Sequence, residues 1–160
     1  MITATEQLRT YLDGFTEFQK QAAGRDLPWL RNLLEDAFAR FCETGFPTPH
    51  DEDWRFTNVS AIAKTPFQLA EPAVRVSRSE VEPFGAFPCR LVFVNGRFAP
   101  EFSSVGKLPA GIKVSGLAQE IEENSRELEA HLGRYLNIHR DAFCALNTAF
   151  AEDGAYVHVR

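Results

Sequence analysis

Apolar residues recur at helical spacing through the opening segment of the chain. Leu8, Tyr11, Leu12, Phe15, Phe18 and Ala22 make one stripe, which predicts a first helix. Thr3 and Glu6 fit a capping box before it, and Gly24 offers a stop after it. A second stripe, Leu30, Leu34, Ala37, Phe38 and Phe41, predicts a second helix. Asp26 is its expected cap, Pro28 sits in its first turn and Gly45 ends it. The loop between the two is short, so an antiparallel pair is expected. The stripes read as core; the alternative is that one faces a partner protein.

The pattern then breaks. Pro47 and Pro49 forbid a continuing helix, and Pro66, Pro72 and Pro83 keep the following stretch irregular. Within it, Asn58 to Ile62 predicts one helical turn, and Val74 with Val76 a short strand. Arg90 to Val94 is β-rich, Asn95-Gly96 supplies the positive φ angles of a type I′ turn, and Arg97 to Ala99 returns. Ile112 to Val114 is a candidate third strand. Ser115 is the expected cap of a helix over Leu117 to Glu123, and Ser125 of another over Glu127 to Leu132. Asp141 opens a last helix with Phe143, Leu146 and Phe150 inward. After Gly154, the run Ala155 to Arg160 alternates as a strand. The fold class expected is α+β: an amino-terminal helical pair, a small antiparallel sheet built on the Asn-Gly hairpin, later helices and a terminal strand.

Composition adds bounds. The chain has 160 residues, 44% hydrophobic and 24% charged, which suits one packed domain or a domain with an appendage. Fourteen phenylalanines supply much of the apolar bulk. A net charge of −5 and scattered basic residues argue against a nucleic-acid partner. No apolar run approaches the ~20 residues that span a bilayer, and Met1 to Glu6 lacks the pattern of a signal peptide, so no membrane role and a cytoplasmic location are expected. Cys42, Cys89 and Cys144 are odd in number and far apart, which favours reduced thiols over a disulfide framework.

Candidate chemistry is sparse. His50-Asp51-Glu52-Asp53 is a possible metal cluster, but it lacks the spacing of an EF-hand or of HExxH and reads better as a solvated acidic turn. The cysteines with His131, His139 and His158 show no CxxC or HxxxH spacing. Trp54 and Phe56 read as anchors of their loop on the helical pair, with ligand stacking as the alternative. No nucleophile elbow, Walker loop or GxGxxG run is present. No catalytic, cofactor-binding or metal-ligating residue is assigned, and no enzymatic activity is expected.

Four stretches in order resemble the SufD family of iron–sulfur cluster assembly proteins and its paralogue SufB. They are Gly45 to Pro49 with Asp51 to Asn58; Leu91 to Phe98; Leu108 to Val114; and Phe143 to Phe150 with Asp153 to Val159. The Trp54 segment and the route into the final strand look more like SufD. The resemblance covers most of the chain and implies an amino-terminal region truncated before a long β-helix. On that reading residues 1–153 form a SufD-like amino-terminal α+β domain, and 154–160 the first strand of the β-helix. It further implies a structural and interaction part in a scaffold with SufB-like and SufC-like proteins, contacted through the full-length chain. The iron–sulfur cluster would be handled transiently by that complex, with no cofactor in this region. The rival expectation is an independent small metal-binding protein or enzyme that uses the His50–Asp53 loop. The cut strand is expected to be disordered, added onto the small sheet, or paired with another copy.

Overall fold

The structure is a computed structural model that describes residues 4–71, 75–81 and 87–160, with the backbone alone for 4–7. The Thr3–Glu6 cap and the Val74 part of the expected strand lie outside these residues; Val76 is in no strand. Along the chain run α1 (Ala4–Gln21), α2 (Pro28–Thr44), a 3₁₀ turn at Glu52–Trp54, α3 (Ser60–Lys64) and α4 (Arg78–Val81). Next come β1 (Cys89–Arg90), β2 (Phe93–Val94), β3 (Arg97–Phe98), a 3₁₀ turn at Pro100–Phe102, β4 (Ser104–Val105) and β5 (Ile112–Gly116). The order ends with α5 (Leu117–Glu123), α6 (Ser125–Glu129), α7 (Ala142–Ala149) and β6 (Ala155–Val159). The class is α+β, as the pattern predicts. The chain divides into two compact units, Met1–Leu69 with Glu129–Ala151 and Ala70–Leu128 with Glu152–Arg160.

The first unit is an aromatic helical core. Tyr11 meets Phe41, Phe15 stacks on Phe38 with ring centroids 4.1 Å apart, and Gln19 donates to Glu35. Positions rising along α1 thus meet positions falling along α2, so the two helices are antiparallel. Every residue of the predicted α2 stripe is buried. On α1 the stripe is narrower than predicted: Phe15, Phe18 and Ala22 are buried, whereas Leu12 is 50% exposed. At 3.6 residues per turn Leu12 lies about 120° around the helix from Phe18. α7 packs closely on α2, where Ala37, Ala145 and Ala149 are fully buried. Their small side chains let the two backbones approach. The inner face of α7 is therefore Ala145, Thr148 and Ala149, and Phe143, Leu146 and Phe150 are only half-buried. Phe150 still turns its ring against Phe15, Phe18 and Phe38.

Some helix ends follow the sequence and others do not; Ser125, for one, is the first residue of α6 and not the cap before it. Gly45 ends α2 and donates its N–H to Phe41 O, and Asp141 caps α7 by accepting from Cys144 N–H at 2.9 Å. Asp26 does not cap α2. Leu27 occupies that position with extended backbone, because the residue before Pro28 is pushed out of the helical region. The predicted Asn58–Ile62 turn appears two residues later, as α3, with Asn58 Oδ1 accepting from Ser60 N–H.

The second unit has a thin apolar core, chiefly Val81, Ala99, Ile121 and Leu128. Among the described residues its strands form three separate two-stranded antiparallel ladders, β1–β4, β2–β3 and β5–β6. The Asn-Gly turn is present, with φ of 50° at Asn95 and 83° at Gly96, and places Phe93 opposite Phe98. The strand expected over Arg90–Val94 is split. Ser103 Oγ takes the Val92 N–H at 2.8 Å, and Pro100 cannot extend β3 because it lacks an N–H. The chain turns there and returns as β4 against β1. β5 does not join the hairpin; it pairs with β6 from Ile112↔Val159 to Gly116↔Ala155. The terminal strand pairs with β5 in a ladder of its own and is not added to the hairpin sheet expected to receive it.

Candidate functional site

The sequence-nominated acidic loop is committed to its own turn. Asp51 Oδ2 accepts from Thr48 N–H at 2.7 Å and from Thr48 Oγ at 3.0 Å. Those hydrogen bonds, the backbone one foremost, hold the Asp51 carboxyl below its ordinary value. His50, Glu52 and Asp53 are exposed. Among the described residues, no group of three or more His, Cys, Asp and Glu side chains is arranged to hold a metal ion. Cys42 and Cys144 are half-buried, and burial raises both thiols, which favours the protonated, unreactive form. Trp54 is half-buried and an anchor, with its ring packed on Phe143 of α7 at 5.2 Å. Phe56 is no anchor at all: it is 93% exposed, with the Arg55 guanidinium over its ring.

The polar groups that the structure does organise were not foreseen. Glu120 of α5 is fully buried. Its carboxylate accepts from Lys113 Nζ at 2.7 Å, Ser115 Oγ at 2.6 Å and Asn124 Nδ2 at 2.8 Å. Burial alone would raise its pKa, but the hydrogen bonds from Lys113, Ser115 and Asn124 outweigh it and the net shift is downward. Ser115 is therefore a ligand of Glu120 and not the cap predicted for α5. The same pair raises Lys113, through the hydrogen bond it donates to Glu120.

Asp153 supplies the missing cap. Its Oδ1 accepts from Ala118 N–H at 2.9 Å, in the first turn of α5, while Oδ2 accepts from Phe98 N–H of β3 at 2.7 Å. Gly154 O accepts from Leu117 N–H at 2.7 Å. One dipeptide so joins the hairpin, the start of α5 and the start of β6. Gly116 lets β3 close in: a Cβ there would stand 3.0 Å from Phe98 Cδ1. Arg97 adds an ion pair to Glu152 at 3.0 Å. The spacing signals were Lys113 and Ser115 two apart on a strand, and Glu120 and Asn124 four apart on a helix. Neither shows that the two faces meet.

Chemically, both arrangements fasten backbone and helix ends. Each carboxylate oxygen of Glu120 and Asp153 is engaged by a donor of the fold itself. This defines an α+β protein of two units, one helical and one pinned by engaged carboxylates. The sequence matches the SufBD protein N-terminal region over residues 5–160. It is also 32% identical over 144 residues to an "iron–sulfur cluster assembly SufBD family protein" of Synechocystis, covering 88% of this chain. The chain belongs to the SufBD family, as its amino-terminal region. It spans 31% of the length of that relative. No helix among the described residues is long and apolar enough to cross a membrane.

Proposed function

We propose that the chain is the amino-terminal supporting part of a SufD-like subunit in an iron–sulfur cluster assembly scaffold, and that it acts by holding shape and not by catalysis. The family match over residues 5–160 carries this reading. The side-chain chemistry supports it, because the best-organised carboxylates, Glu120 and Asp153, are spent on the fold. In the cytoplasm the full-length subunit pairs with SufB-like and SufC-like proteins through chain beyond this region. The cluster is substrate, handled transiently by the assembled complex. β6 leads into the β-helix: its Val157 and Val159 side chains are more than 60% exposed, a face that a further coil would cover. The alternative at His50–Asp53 gains no support from a loop whose Asp51 is turned back onto Thr48.

The test is a pull-down of the full-length protein and of residues 1–160 against SufB-like and SufC-like partners. The full-length protein is expected to retain both, and residues 1–160 to retain neither. Turnover, or stoichiometric iron or zinc held by residues 1–160 after purification, would overturn the reading.

A further inference from the structure

We draw no further inference here: the strongest candidate, the apolar cleft of about 340 Å³ that Tyr11 of α1, Phe41 of α2 and Phe46 and Pro49 of the proline-rich loop line in the first unit, carries nothing, because nothing in the structure shows what covers it.

Discussion

Glu120 has no exposed surface and still carries its charge, because two donors reach it from β5 and a third from Asn124, just past the end of α5. In so thin an apolar core, a carboxylate with matched donors is worth more than its own burial cost; with any donor removed it is not. Glu120→Ala strands Ser115 and Asn124 and should cost about 1–3 kcal/mol, read from urea denaturation at neutral pH. The pH dependence follows from the lowered folded-state value. Below its ordinary value of 4.5, the unfolded carboxyl binds more protons than the folded one. The stabilisation is therefore full above that pH and is lost as pH falls through the lower folded value. Denaturation midpoints should drop as pH falls below that ordinary value, and the Glu120→Gln variant should lose less on the same descent. An equal loss in both would assign the effect to other carboxylates.

At the scale of elements, α2 and α7 owe their closeness to alanine. Ala37, Ala145 and Ala149 fill the seam completely, so any added methylene has to move a backbone. Ala145→Leu is expected to destabilise the helical unit by about 1–3 kcal/mol, although leucine is a good helix former. Circular dichroism during urea unfolding measures it, and an unchanged midpoint would show that the seam has room to spare. The α1–α2 contact tolerates wider spacing, since rings fill it: Phe15 on Phe38, Tyr11 on Phe41.

Across the whole molecule, the two units differ in what holds them. The helical unit rests on a continuous aromatic core, Phe15, Phe38, Phe41 and their neighbours. The other rests on ladders and carboxylate fastenings. Its longest ladder is β5–β6, so β5 depends on a strand supplied by the far end of the chain. Removal of residues 155–160 should speed amide exchange throughout Ile112–Gly116 by at least about tenfold while α2 and α7 stay protected. Unchanged exchange in β5 would mean that α5 alone keeps that strand in place.

The local pattern was enough to determine α2 from Pro28 to Gly45, the α7 cap at Asp141 and the Asn95-Gly96 turn. Each depends on residues within a few positions of one another, where helical period, capping and positive φ act directly. The resemblance to SufD-type chains was legible for the same reason, in contiguous stretches such as Asp51 to Asn58. Tertiary structure alone decided that β5 pairs with β6 and leaves the hairpin, that Ser115 serves Glu120, and that α5 takes its cap from a residue 35 positions away. Those choices set long-range contacts against one another. Alternation and propensity are blind to them, because a strand reads the same whichever edge it joins and a carboxylate reads as exposed until a fold brings it its donors.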